Sequence, residues 1–426
     1  GYTSYIRPMQ SAFAGRGVLR VVPPAALEAA IKAQDQATAA AAQPETDATL
    51  SNLASYIRSQ FDMMKQHRNS PVAGWTNRLL DALRAFNGQY PVDKLSQIRE
   101  FGGSEVYARI IAMKCRGATS LLRDVYLSPD RPWGLDPPED PEIPAEVTQS
   151  VAQLVAIEAQ SQAQSGQPVD PNAVRDRVLH LMEAARNAAK DRAADQTKIA
   201  EDKLDEILID GKFYNALAEF LVDLPLFVFA CLKGPVVRIV PSVEWQNGKA
   251  IMQQKPKLFW QRVSPFDVWW TPGVADIEDA AVIERSRISR ADLNDLLDLP
   301  GYNTDNIRTV LDEYGRGGIN DDWDVSDAER AVMENRENPN MNRSGMIAML
   351  EWNGNVQGRM LLEYGMDPKK IPDPMRDYMV TAWLIGRYVI KCQFSPSPRK
   401  RHPYYITSFE KVPGTPVGNG LPDLLS

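Results

Sequence analysis

Residues Lys255 to Gly273 read KPKLFWQRVSPFDVWWTPG, and the fold class turns on them. Phe259, Trp260, Phe266, Trp269 and Trp270 fall within twelve residues, while Pro265 and Pro272 forbid one continuous helix through them. Side chains of that size build a core, so Trp260, Phe266, Trp269 and Trp270 are assigned to it. Just upstream, Val236 to Val240 and Trp245 to Lys255 flank Asn247-Gly248, the pair that best tolerates the positive φ angles of a tight hairpin turn. The aromatic block therefore extends a β-hairpin. Downstream, Asp276 to Arg290 (DIEDAAVIERSRISR) reads as a helical run, which puts the block where sheet gives way to helix.

Working outward, a chain of 426 residues is long enough for two or three cores of its own. Cys115, Cys231 and Cys392 are far apart and form no CxxC pair; with His67, His180 and His402 equally scattered, neither a disulfide framework nor a metal site is expected. The longest apolar run, Leu221 to Leu232, contains Asp223 and Pro225 and is shorter than a membrane span needs, so no membrane partner is expected. The net charge is −7, opposite in sign to a protein that grips nucleic acid by its phosphates. Glycine stands first, without a signal-peptide pattern behind it, and the start reads as trimmed or processed.

Seven segments follow from composition and periodicity. Residues 1–48, rich in alanine, proline and glutamine, read as a tether. Residues 49–130 read as a helical layer: Leu50, Leu53, Ile57, Phe61 and Met64 share one face, Leu79, Leu80, Leu83 and Phe86 another, and Val106, Ile110, Met113 and Leu121 are expected to face inward from a third helix over 104–127. Residues 131–144 are a proline-rich connector, and 145–233 a long helical hairpin in which Asp170 caps and Pro171 opens the second arm. Residues 234–315 form a sheet-and-helix core, with Ser289 and Asp292 as a capping box. Residues 316–345, polar and rich in glycine and asparagine, read as a mobile insertion. Residues 346–426 alternate like an antiparallel sheet, with turns expected at Asn353-Gly354 and Gly386, and Leu421-Pro422-Asp423 reads as the first turn of a helix that continues beyond Ser426. The expected class is α+β.

Chemistry is harder to find. There is no GxxxxGK[ST] loop, GxSxG elbow, HExxH or EF-hand loop. Gly414 to Gly420 (GTPVGNG) is glycine-rich but no lysine follows it. No catalytic, cofactor or metal residue is assigned, and the chain is not read as an enzyme. The one compact basic cluster, Arg399, Lys400 and Arg401, is the candidate contact for DNA or an acidic partner. Nothing selects the residues of a carboxylate-metal hydrolase acting on nucleic acid; that remains an alternative, as does a monomeric virion adaptor.

Three stretches, in order, resemble the portal proteins of tailed, above all short-tailed, bacteriophages: WGLDPPEDPEIP before a long helical excursion, then DGKFYNALAEFLVDLPLFVFACLKGP, then KLFWQRVSPFDVWWTPGVADIEDAAVIERSRISRADLNDLLDLPGYN. The Pro265 to Asp279 segment is similar to that family's P-F-D-hydrophobic-aromatic-Pro segment, and YITSFEKVPGTPVGNGLPDLLS resembles its passage from wing to stem. The resemblance covers most of 75–426. It implies a wing region, without stem, clip or crown, that assembles as a ring of about twelve copies at one capsid vertex. It also implies partners: major capsid or scaffolding protein, terminase, tail adaptor and passing double-stranded DNA. The implied location is the virion, after assembly in the host cytoplasm, and no cofactor is implied.

Overall fold

The computed structural model describes residues 52–71, 74–128, 131–165, 170–246, 249–314, 325–334, 346–397 and 399–425. In chain order, α1 (Asn52–Asn69), α2 (Thr76–Asn87), α3 (Val92–Glu100) and α4 (Ile110–Tyr126) make the helical layer. After the connector come α5 (Ala145–Gln164), α6 (Pro171–Asp210) and α7 (Phe213–Leu226), then strands β1 (Ala230–Gln246), β2 (Lys249–Val263), β3 (Val268–Trp270) and β4 (Val282–Ile288). Helices α8 (Arg290–Asp295), α9 (Thr304–Glu313) and α10 (Val325–Met333) precede β5 (Ile347–Gln357), α11 (Gly358–Tyr364), β6 (Asp377–Ile385), β7 (Tyr388–Phe394), β8 (Tyr404–Thr407) and α12 (Leu421–Leu425). The class is α+β. The tether at 1–48 and the Asn247-Gly248 turn lie outside the described residues, although Gln246 pairs with Lys249 across the latter.

All the strand pairs are antiparallel. A three-stranded sheet runs β2-β1-β8 and a five-stranded one β3-β4-β5-β6-β7. Local signals set many helix ends: Asp170 accepts a hydrogen bond from the Asn172 N–H, Ser289 from Asp292, and Gly88 closes α2 in the left-handed conformation. The α1 face of Leu53, Ile57, Phe61 and Met64 packs with Trp269 and Trp352 against the larger sheet. Leu79, Leu80 and Leu83 of α2 join Phe266 and Trp270 in a second core cluster.

Several expectations are overturned. Asp276 to Arg290 is not one helical run: after a single 3-10 turn at Ile277–Asp279, its second half is β4, held between β3 and β5. The spacing is compatible with a helix, but Glu284 and Arg285 belong to the strand and are buried in ion pairs with distant partners. Asn353-Gly354 does not turn either. β5 runs straight through, with Asn353 opposite Thr381 and Gly354 opposite Val380. A Cβ at Gly354 would lie 2.5 Å from Ala281 Cβ and 2.7 Å from the Trp352 ring, so close packing, not a turn, requires glycine there. The residues after Gln357 are the helix α11 rather than a strand. Of the four aromatics assigned to the core, Phe266, Trp269 and Trp270 are buried. Trp260 is only half-buried; it lies over Gly211 and Gly234 and meets Phe213 edge-on, so it covers the root of a projecting strand pair instead of filling the interior.

Within the stretch read as a mobile insertion, residues 325–333 form α10, with Asp327, Arg330 and Ala331 buried. The rest of that stretch apart from Glu334, residues 316–324 and 335–345, lies outside the described residues. Polarity misled here because α10 is held by charge: Asp327 takes both Nη groups of Arg285 at 2.9 and 2.7 Å, and Arg330 Nη1 reaches both oxygens of Asp267 at 3.0 Å.

Candidate interaction surface

The basic loop disperses in three dimensions. Arg399 and Lys400 are exposed, whereas Arg401 pairs with Glu278 at 2.7 Å and lies over the Tyr405 ring. Next to it His402 is buried, its Nε2 2.6 Å from Ile277 O and its Nδ1 accepting the Tyr404 N–H at 3.2 Å. Burial lowers the His402 pKa below its ordinary value. The unfolded chain therefore binds this proton more readily. Stability is expected to fall as pH drops from about 6.5 through the lowered native value, and urea midpoints at pH 7.5 and 5.5 measure the loss. Replacement by glutamine should flatten the difference; an unchanged pH dependence would show that His402 does not contribute.

Two charged clusters lie inside the molecule, on opposite faces of β4, because neighbouring residues of a strand point opposite ways. On one face Lys233 Nζ bonds Glu284 at 2.5 Å and Glu351 at 2.7 Å, with the Tyr404 hydroxyl donating to Glu284 and Asn353 Nδ2 to Glu351. Burial alone would lower the lysine pKa, but the two carboxylates outweigh it and raise it. Burial raises Glu284, while Lys233 and Asn353 overcome burial to lower Glu351. On the other face Arg285 and Arg330 share Asp267. Arg68 and Arg285 both stack on Trp269, with guanidinium carbons 4.6 and 5.0 Å from its ring centre. Both clusters join elements distant in sequence and fill their space with ammonium and guanidinium groups. Among the described residues no group of three or more His, Cys, Asp or Glu is placed to hold a metal ion.

The surface is more informative. Among the described residues β8 pairs with β1 only at Ala230 to Lys233, so beyond that point β1 and β2 form a two-stranded arm. On one face of the arm Val237 stands opposite Leu258, Ile239 opposite Pro256, and Val243 opposite Met252. Val237, Ile239, Val243 and Met252 are 53%, 62%, 56% and 71% exposed. A two-stranded ribbon is marginal in water by itself, and an apolar stripe of this kind ordinarily packs on something.

Two further elements repeat the pattern. Helix α6, 40 residues long, buries none of them and leaves Leu179, Ile199, Leu204 and Ile209 exposed; α5 buries only Val151 and Val155. Arg177 pairs with Glu158 across the hairpin, and Arg131 of the connector reaches Asp202 at 2.5 Å. In α4 the inward face expected from sequence points outward: Val106, which precedes the helix, Ile110, Met113 and Leu121 are all exposed, and Ile111, Ala112 and Cys115 are the buried residues. The apolar periodicity is there, but α7 and α2 cover the neighbouring face of the helix. Sequence signalled that these residues are apolar but could not show that the other described residues leave them uncovered. Among the described residues no helix is long and apolar enough to cross a membrane.

No protein-family model and no curated protein matches the chain.

Proposed function

We propose that this chain is the wing region of a bacteriophage portal protein. About twelve copies would form the ring at one capsid vertex through which double-stranded DNA is packaged and ejected, and onto which terminase and tail are docked. The ordered resemblance over most of residues 75–426 supports the family, and the α+β class agrees with it. The observation that carries assembly is the exposed stripe of Val237, Ile239, Val243 and Met252 on a ribbon too thin to stand alone. A closed ring needs one face of each copy to meet a different face of the next. The arm and the α5–α6 hairpin are two projecting, unlike surfaces suited to that. The net charge of −7 per copy makes the ring a conduit that repels DNA instead of trapping it.

Native mass spectrometry with negative-stain imaging tests this reading. A closed ring of about twelve copies is expected. The paired substitution Ile239→Lys and Val243→Lys should reduce it to smaller species while leaving the melting temperature of the subunit within a few degrees. A monomer at all concentrations, absent from capsid vertices, would overturn the proposal.

A further inference from the structure

Helix α4 keeps Ile111, Ala112 and Cys115 on the side packed against α2 and α7 and turns its other side to solvent. On that outer side Ile110, Met113, Gly117, Leu121 and Val125 recur at intervals of three and four residues, so they line one face for about 22 Å at 1.5 Å per residue. The four apolar side chains are between 53% and 69% exposed. Gly117 stands at the middle of the stripe, and a Cβ there would find nothing within 4 Å. Glycine inside a helix weakens it relative to alanine, and none of the described residues makes use of the space it leaves. A gap between large side chains on a helix surface is what the side chains of a facing helix enter.

Charge marks the edges of the stripe. Arg109, Arg116 and Arg123, spaced by seven residues, form a row along one side of it, and Lys114 stands on the other. All four are exposed, and among the described residues none of them forms an ion pair. Arg116 lies over the Phe86 ring and Arg123 donates to Ala218 O at 3.2 Å, contacts that position these side chains without balancing their charge. Exposed cations elsewhere do find carboxylates: Arg99 has Glu105, Arg177 has Glu158 and Lys257 has Asp210. Against the four cations the outer face carries Asp124, so in a chain of net charge −7 it is locally positive.

These features select the occupant. DNA phosphates would meet the edges but leave the apolar middle uncovered, which disfavours nucleic acid. Arginines seven residues apart are matched by carboxylates seven apart on a facing helix, the spacing at which flanking charges choose helical partners. The acidic hairpin of a second copy does not offer that row, since Asp202, Glu206 and Asp210 of α6 are already paired with Arg131, Lys203 and Lys257.

We propose that the outer face of α4 is a docking site for an amphipathic helix of a partner protein, its apolar ridge seated over Gly117 and its acidic edge against Arg109, Arg116 and Arg123. The inference is independent of the function proposed above, since it rests on α4 alone.

The probe is a fluorescently labelled peptide of three Leu-Ala-Ala-Leu-Glu-Ala-Glu repeats, titrated with the full chain and followed by anisotropy at low salt. Saturable binding in the micromolar range is expected. A peptide with glutamine in place of every glutamate should bind at least tenfold more weakly. Arg116→Glu combined with Arg123→Glu should weaken binding of the acidic peptide at least tenfold, and so should Leu121→Asp. These substitutions alter exposed side chains, and circular dichroism checks that the fold persists; the glutamine peptide decides the matter if a variant folds poorly. Ile239→Lys with Val243→Lys, which tests ring assembly, should leave peptide binding unchanged. Absence of saturable binding would overturn the proposal, as would equal binding of the glutamine peptide or unchanged binding by Leu121→Asp. Displacement of the peptide by duplex DNA at equal concentration would assign the face to nucleic acid. Loss of oligomers from native mass spectra of Leu121→Asp would assign it to a neighbouring copy, and either result would overturn the proposal.

Discussion

Lys233→Ala is expected to destabilise the folded chain by about 3–5 kcal/mol, the range found when one partner of a buried ion pair is removed. The reason is the arrangement of charge. Lys233 is the ammonium within hydrogen-bonding distance of both Glu284 and Glu351, each buried, and without it two carboxylates face one another away from water. Tyr404 and Asn353 would still donate to them, but neutral donors do not balance the charge. Guanidinium chloride unfolding followed by tryptophan fluorescence reads the loss. Combining Lys233→Met with Glu284→Gln and Glu351→Gln should restore most of it, because a neutral, filled interior avoids the desolvation of ions. The deficit of the single variant should also shrink in acid, where protonated carboxylates tolerate burial. A loss below about 1 kcal/mol, the scale of an exposed pair, would show that the cluster is not sealed from water.

Asp267→Ala should have an effect of the same order, about 3–5 kcal/mol, with a second and more local consequence. Asp267 stands between Arg285 and Arg330, and Arg330 belongs to α10. Burial alone would raise the pKa of this carboxyl, but the two guanidinium groups overcome it and hold it well below the ordinary carboxylate range. A carboxyl lowered in this way contributes stability above its unfolded value of about 3.9, and the contribution is lost progressively as pH falls from there through the lowered native value. Its removal at neutral pH leaves Arg285 with Asp327, and leaves Arg330 over Phe266 with Glu334 of its own segment and the Ser264 hydroxyl as its remaining partners. Helix α10 should then gain hydrogen exchange and become cleavable by protease, while β4 and β5 stay protected. Unchanged exchange in 325–333 would mean that the Asp327–Arg285 and Glu329–Arg84 ion pairs, Ala331 and the Asn87 bond to Met333 O hold the helix without Asp267.

These two clusters also explain where a reading of sequence stops. The stretch VIERSRI carries four polar residues in seven, a pattern that water-facing helices share. Whether Glu284 meets solvent or Lys233 depends on a residue 51 positions away, and the partner of Arg285 in α10 lies 42 positions on. No local propensity records such distances. The same holds for the candidate surface: spacing alone marked Ile110, Met113 and Leu121 as an apolar face, but the packing of α4 against α2 and α7 decided that this face points outward. The basic cluster looked compact at 399–401 because adjacency in sequence is not adjacency in charge; Arg401 is committed to Glu278.

What the sequence by itself determined is therefore local. Asp170 with Pro171 opens α6, Ser289 with Asp292 opens α8, Gly88 ends α2, the alternation after Tyr378 makes β6 and β7, and six prolines keep 128–144 from continuing a helix. Each of these acts through a hydrogen bond, a φ angle or a side-chain period that spans a few residues. Only the tertiary structure decided which charges are buried, that β5 runs straight through Asn353-Gly354, that α10 is clamped to the core, and that the arm keeps an uncovered apolar stripe. Burial and ion pairing are properties of which segments meet. The free energy of a charge or a methyl group is set by the neighbours it acquires on folding, not by those beside it in the chain.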